Sequence, residues 1–353
     1  MKKAKKGYSL YGVNLNITGE NLDGLYDEPN LASVEYIGFA NVSADKVSLD
    51  FSPFKSLKKL LIYSTEPYTI PREICYLPNL EEIVCSVKCL LPPEIGETPK
   101  LWNLMLHGDS VLNMPESIAD APLKTLTVNS GKSDPRPMPG WITSLPQLEQ
   151  LYLDHCNFTN IDANINNMAN LKSLCFWDSL SAVSDFPALD KLKSLKTLDI
   201  TGGSLMRKRP PYSLLEKVLD SIKTLDTLTH LSIYDWKSRK KPYHLVINEK
   251  GRSIPDIFGR FPQLTFLNIS GMDIDFLPPS IFELPSLYCL YIFGNNLSED
   301  CLKKLHDSGF RKTLNDLSGN QGGIRAECQR VMQFYKIFEV RSRCSSLFRS
   351  FQS

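Results

Sequence analysis

Between Leu57 and Leu287 the chain returns ten times to one six-residue arrangement, with apolar residues at the first, fourth and sixth positions and variable residues between them. The copies are LKKLLI from Leu57, LEEIVC from Leu80, LWNLML from Leu101, LKTLTV from Leu123, LEQLYL from Leu148, LKSLCF from Leu171, LKTLDI from Leu195, LTHLSI from Leu228, LTFLNI from Leu264 and LYCLYI from Leu287. Successive starts lie 23, 21, 22, 25, 23, 24, 33, 36 and 23 residues apart. The fourth and sixth positions fall on one face of an extended segment, because side chains alternate along a strand. A strand this short cannot bury that face alone. Stacking the next unit beside it, about 4.8 Å away, builds a parallel sheet with a continuous core, and ten strands span roughly 43 Å.

The return half of the unit is patterned as well. IPREICYLPNL from Ile70, LPPEIGETPKL from Leu91, MPGWITSLPQL from Met138, IPDIFGRFPQL from Ile254 and LPPSIFELPSL from Leu277 all place proline second. Proline removes a donor and fixes φ, so extended or 3₁₀ turns are predicted there. Together the two halves resemble the leucine-rich-repeat family, in the intracellular LPxxIxxLxxLxxLxL form of Ras-suppressor-like proteins and bacterial relatives, over roughly residues 57–298. The resemblance implies an α/β repeat solenoid, a leucine-rich-repeat horseshoe with a parallel concave sheet and an irregular convex side. In that family an asparagine at the ninth position ties consecutive turns. Only Asn295 matches, with Cys156 an accepted substitute, while Thr65, Lys88, Asp109, Gly131, Ser179, Gly203, Trp236 and Met272 occupy the place elsewhere. Weak coupling between turns and irregular curvature are therefore expected.

Two units are long. After Leu195 the stretch PYSLLEKVLDSIKTL carries Leu215, Val218, Leu219 and Ile222 at helical spacing, which predicts a true helix on the convex side. After Leu228 the excess runs through KSRKKPYHLVINEKGRS and reads as a loop or small hairpin. A solenoid needs covered ends. Residues 1–56 supply an N-terminal cap, with a strand-like LYGVNLNI and a degraded unit around Leu31, Val34 and Tyr36; residues 57–298 are the solenoid; residues 299–353 are a helical C-terminal cap and tail. In that cap Ser298 precedes Glu299 and Asp300, with Lys303, Lys304 and His306 in the last turn and Gly309 beyond; Ile324, Cys328, Val331, Tyr335 and Phe338 suggest a second helix.

Composition changes this picture little. The 353 residues are 42% hydrophobic and 22% charged, as in a globular protein. Forty basic against 39 acidic residues leave a net charge of +1, so bulk electrostatics supplies no attraction to nucleic acid or anionic membrane. Four lysines open the chain, and Gly7, Ser9, Gly12, Asn14 and Asn16 then interrupt every apolar run, which fits neither a secretory leader nor a membrane span. Nine cysteines without regular spacing fit a reducing interior. A cytoplasmic monomer is expected, with export as an effector left open.

Catalytic signatures fail on inspection. Gly131-Lys132-Ser133 imitates the end of a phosphate-binding loop, but the glycine needed five residues earlier is Leu126. Cys85, Cys89 and His107 could be imagined on a metal, yet Cys85 is an inward strand position, and core packing is the favoured reading. Cys301, Cys328 and Cys344 invite comparison with the ubiquitin-ligase cysteine of some bacterial leucine-rich-repeat proteins. The 55 residues after the last repeat are too few for that domain. No cofactor and no metal are expected, and the chain reads as a non-enzyme.

The concave face holds the informative residues. Positions 2, 3, 5, 7 and 8 point toward it, and aromatics recur there beside acids: Trp102, His107, Tyr152, Asp154, His155, Trp177, Asp178, Asp199, Tyr234 and Asp235. An exposed Trp177 is the most telling, since large amphipathic rings dominate binding hot spots. The expected function is binding of a protein partner. A second reading is an adaptor for phosphorylated or nucleic-acid ligands through the basic runs Arg207, Lys208, Arg209 and Lys237, Arg239, Lys240, Lys241. A third is an effector with a cryptic C-terminal activity.

Overall fold

The computed structural model describes residues 6–40, 49–63, 67–85, 89–107, 114–130, 134–201, 212–234, 246–248, 251–292 and 295–308. The chain divides into two compact units, residues 1–301 and 302–353. The second helix of the expected C-terminal cap, with Ile324, Cys328, Val331, Tyr335 and Phe338, lies outside the described residues.

In chain order the strands are β1 (Tyr8–Tyr11), β2 (Asn14–Ile17), β3 (Tyr36–Ala40), β4 (Lys59–Tyr63), β5 (Tyr68–Thr69), β6 (Glu82–Cys85), β7 (Cys89–Leu90), β8 (Asn103–His107), β9 (Thr125–Asn129), β10 (Gln150–Asp154), β11 (Ser173–Trp177), β12 (Thr197–Thr201), β13 (His230–Tyr234), β14 (Val246–Asn248), β15 (Gly251–Ser253), β16 (Phe266–Asn268) and β17 (Cys289–Tyr291). Thirteen of them form one sheet in the order β1-β2-β3-β4-β6-β8-β9-β10-β11-β12-β13-β16-β17. β1 pairs antiparallel with β2, and each later neighbour pair is parallel.

The register is that of the repeat. Leu104, Leu126, Leu151, Leu174, Leu198, Leu231 and Leu267 stand opposite one another across successive strands. All seven are fully buried, so the fourth positions make one shared hydrophobic column. Full burial of a leucine side chain contributes about 2 kcal/mol, and repetition along the column supplies the stacking force that a single unit lacks. A second ladder runs along the strand entries. The Glu81 carbonyl accepts from Trp102 N–H at 3.0 Å and Asn103 N–H at 3.2 Å, and the Trp102 carbonyl accepts from Lys124 and Thr125, both at 2.9 Å.

On the convex side the returns are short 3₁₀ turns, proline-led at Arg72–Tyr76, Pro93–Glu97, Glu116–Asp120, Gly140–Ser144, Phe258–Arg260 and Pro279–Glu283 and led by Asp162 at Ala163–Asn167. The first long unit instead carries a helix, α1 (Tyr212–Ile222), whose Leu215, Val218, Leu219 and Ile222 are buried. In the second, β14 and β15 form an antiparallel hairpin. Ser298 caps α2 (Glu299–Asp307), accepting the Cys301 N–H at 3.3 Å on its Oγ.

Two expectations need correction. LYGVNLNI is not one strand, because Gly12, at φ 57°, turns the chain between β1 and β2. The degraded unit is phased on Val34, Ile37 and Phe39, all fully buried, and not on Leu31, Val34 and Tyr36; pairing of Tyr36 with Lys59 puts Tyr36 at the third position. Of the ninth positions only Cys156, Ser179, Met272 and Asn295 lie among the described residues. Asn295 accepts from Met272 N–H at 3.0 Å and Ile274 N–H at 3.4 Å, and donates to the Ile269 and Ile292 carbonyls. Ser179 does comparable work with one hydroxyl: its Oγ accepts the Cys156 N–H at 3.0 Å and lies 2.9 Å from the Leu153 and Trp177 carbonyls.

Candidate functional site

The concave residues come together because the parallel register stacks equal positions of consecutive units. Asp154 stands opposite Trp177, Tyr152 opposite Cys175, and Cys175 opposite Asp199, which in turn faces Ser232. The Tyr152 and Trp177 rings stack with centroids 5.9 Å apart and an interplanar angle of 30°. Asn129 Nδ2 donates to Asp154 Oδ2 at 2.7 Å, and His155 Nδ1 lies 2.5 Å from Asp154 Oδ1. The other ring nitrogen of His155 is 3.6 Å from Asp178 Oδ2, so one imidazole sits between two carboxylates.

His155 and Asp178 occupy the eighth position of adjacent units and adopt left-handed backbone, at φ 51° and 47°. Gly271 holds the same position of a later unit at φ 64°. At these three strand exits the chain takes a conformation that glycine adopts freely and a side chain rarely does, whereas Ser130, at the same position of an earlier unit, does not take it. Two neighbouring units thus keep a side chain where glycine is the easy choice.

Exposure differs from the expectation of an open fifth row. Leu61, Val84, Met105, Thr127, Tyr152, Cys175, Asp199 and Ser232 are all buried, Asp199 to 1% exposure. Strands about 4.8 Å apart bring like positions closer than side-chain diameters, so this row covers itself. Trp177 is half-buried, not fully exposed, because it lies against Tyr152. Asp154, His107 and Tyr234 are half-buried, His155 is exposed, and Trp102 is 38% exposed on the strand-entry side. Burial pushes the Tyr152 phenol and the Cys175 thiol up, the latter aided by the nearby Asp199 carboxylate. Asp235 and the basic runs at 207–209 and 237–241 lie outside the described residues.

A second aromatic run was not singled out by position. His230 stacks on Phe266 at 5.8 Å, and Phe266 meets Tyr291 at 5.4 Å. The signal was available in the third positions, where His230, Phe266 and Cys289 follow one another. Burial lowers the pKa of His230 and favours its neutral ring. Cys75, Cys85, Cys89, Cys156, Cys175, Cys289 and Cys301 are buried free thiols, and burial raises those of Cys75 and Cys156 to about 11. Among the described residues no group of three or more His, Cys, Asp or Glu is arranged to hold a metal ion.

Repeat register, a continuous leucine column and 3₁₀ returns define a leucine-rich-repeat solenoid. No family model and no curated protein matches the chain. Similar solved structures include a leucine-rich-repeat protein of Leptospira interrogans, at 17% identity and TM-score 0.46, covering 84% of this chain and 87% of that one. An internalin from Listeria monocytogenes is similar at 15% identity and TM-score 0.48, with 84% and 85% covered. The leucine-rich-repeat ectodomain of a plant membrane receptor kinase from Arabidopsis thaliana is similar at 18% identity and TM-score 0.47, over 81% of this chain and 36% of that one. In this chain no described helix is long and apolar enough to cross a membrane.

Proposed function

We propose that the protein is a non-catalytic binding module whose concave sheet seats a protein partner. The observation that carries this reading is the half-buried ring of Trp177, stacked on Tyr152 and placed opposite Asp154 in strand register. Trp102, His107, Asp154, His155, Trp177 and Tyr234 are the side chains assigned to touch the partner. Tyr152, Asp178 and Asp199 lie behind them and shape the surface. A tryptophan presented on a rigid sheet loses little entropy on binding and adds apolar area at the centre of an interface. The intracellular type of repeat and a reducing, cytoplasmic setting belong to the same reading, supported by the proline-led returns and the nine unpatterned cysteines.

The test is affinity capture combined with cross-linking, using the Trp177→Ala/Tyr234→Ala double variant and a convex-side control, Tyr76→Ala, which removes a ring that is 57% exposed. Loss of the captured protein in the double variant alone, with an unchanged circular dichroism spectrum, is the expected result. Equal capture by all three proteins rules the concave site out.

A further inference from the structure

We propose that the platform formed by β10 and β11 receives an arginine side chain of the protein partner. This assignment rests on the concave-face reading and adds the chemistry of what is held there. Its first support is the pairing of ring and charge. Trp177 presents an indole, the ring best suited to a cation, and Asp154 stands opposite it in register, its Oδ2 already accepting from Asn129 and its Oδ1 beside His155. Asp178 follows Trp177 in sequence, and His155 bridges toward both carboxylates, 2.5 Å from Asp154 and 3.6 Å from Asp178.

The second support is segregation of charge across the sheet. On β10 and β11, positions 5, 7 and 8 include Asp154 and, buried behind it, Asp178, and not one lysine or arginine. Between residues 155 and 190 the sole lysine or arginine is Lys172, which lies on the strand-entry side. There Lys124 and Lys172 both reach Glu149, at 3.8 and 2.6 Å, and Lys196 follows in the next unit. At β10 and β11 the strand exits are therefore acidic and the entries basic, whereas the basic runs 207–209 and 237–241 follow β12 and β13 in sequence. A cationic group is directed to the exit half, where Trp177 and Asp154 are.

Arginine fits this pairing better than lysine. A planar guanidinium can stack on the indole while its forked donors meet a carboxylate in the same plane, whereas an ammonium is a compact, strongly hydrated point charge. A neutral sugar ring could also lie on Trp177, but it would gain nothing from the net charge of the carboxylates.

The test uses the full chain and three capped pentapeptides, Gly-Ser-Arg-Ser-Gly and its lysine and citrulline counterparts, with chitotetraose as the neutral sugar. Binding is followed by the indole N–H resonance that disappears in Trp177→Phe. The arginine peptide is expected to shift that resonance and to bind at least about 5-fold more tightly than the lysine peptide. Asp154→Asn is expected to weaken it by about 10-fold, and raising salt from about 50 to about 500 mM to weaken it further. Equal binding of the citrulline peptide, a shift caused by chitotetraose alone, or an unmoved resonance overturns the arginine assignment. If Asp154→Asn fails to fold, the citrulline comparison and the salt dependence decide the matter on the native chain. Loss of partner capture in Trp177→Ala/Tyr234→Ala without any arginine preference removes the assignment and leaves the concave-face reading standing. Unchanged capture removes both.

Discussion

Ser179 shows how one side chain can hold two repeats together. Its hydroxyl is buried between the Cys156 N–H and the carbonyls of Leu153 and Trp177. Ser179→Ala leaves the Cys156 amide without that acceptor, and a buried group left unsatisfied costs about 1–3 kcal/mol. We expect thermal unfolding to move down by several degrees, and an unchanged melting temperature would count against the bridge. Close approach decides Gly96 in another way. A Cβ there would lie 2.1 Å from the Ser117 carbonyl oxygen and 2.9 Å from its carbon, both backbone atoms of the next turn. Gly96→Ala must push the 3₁₀ turns at Pro93–Glu97 and Glu116–Asp120 apart, at about 1–3 kcal/mol for overpacking. Urea titration measures that loss directly. Neither role shows in the repeat pattern, because Ser179 stands where the family has asparagine and the backbone that Gly96 meets, that of Ser117, belongs to the next unit.

At the scale of elements, the β14–β15 hairpin is fixed by one arginine. Arg252 donates through Nη1 to Asp273 Oδ2 at 2.6 Å, and through Nε and Nη2 to the two Asp275 oxygens at 3.0 and 2.7 Å. Its backbone N–H also donates to Asp275 Oδ2, at 2.8 Å. Asn296 donates to the other Asp273 oxygen at 2.6 Å, so the hairpin, the Asp273 turn and the approach to α2 are tied together. Hydrogen bonding to the Arg252 side chain holds the Asp275 carboxyl below its ordinary range. A carboxyl depressed in the folded state adds stability that is complete above the unfolded value, about pH 4, and is lost as pH falls through the folded value. Amide exchange at Arg252, Asp275 and Phe276, corrected for intrinsic rates, is expected to accelerate below about pH 4, and Asp275→Asn is expected to abolish that transition. A profile with no acid limb in the native protein would show that the clamp contributes nothing. In sequence the insertion was visible as extra length and basic charge. Its anchor was not, because Asp273 and Asp275 lie two dozen residues downstream in the following unit.

For the repeat array as a whole, stability is shared along the leucine column and couples each unit to its neighbours. Leu174 is fully buried with strands on both sides, whereas Leu290 is 7% exposed on β17, the last strand of the sheet. Leu174→Ala is expected to cost about 3–5 kcal/mol and Leu290→Ala less, since a terminal layer has one neighbour and can relax. Equilibrium denaturation of both variants checks the ordering, and equal losses would contradict a column shared through the array.

The sequence alone determined the period, the inward residues and the parallel stacking, because leucines at a fixed spacing have one economical way to hide from water. It also marked α1 and the hairpin insertion, whose local patterns differ from the rest. Tertiary structure decided what the concave face exposes. Neighbouring strands stand closer than their side chains are wide, so Tyr152, Asp178 and Asp199 sink below the surface while Trp177 and Asp154 stay within reach. It decided as well which residues bridge the units, since a hydroxyl or a guanidinium becomes a strut only when the chain two dozen residues away brings its partner alongside.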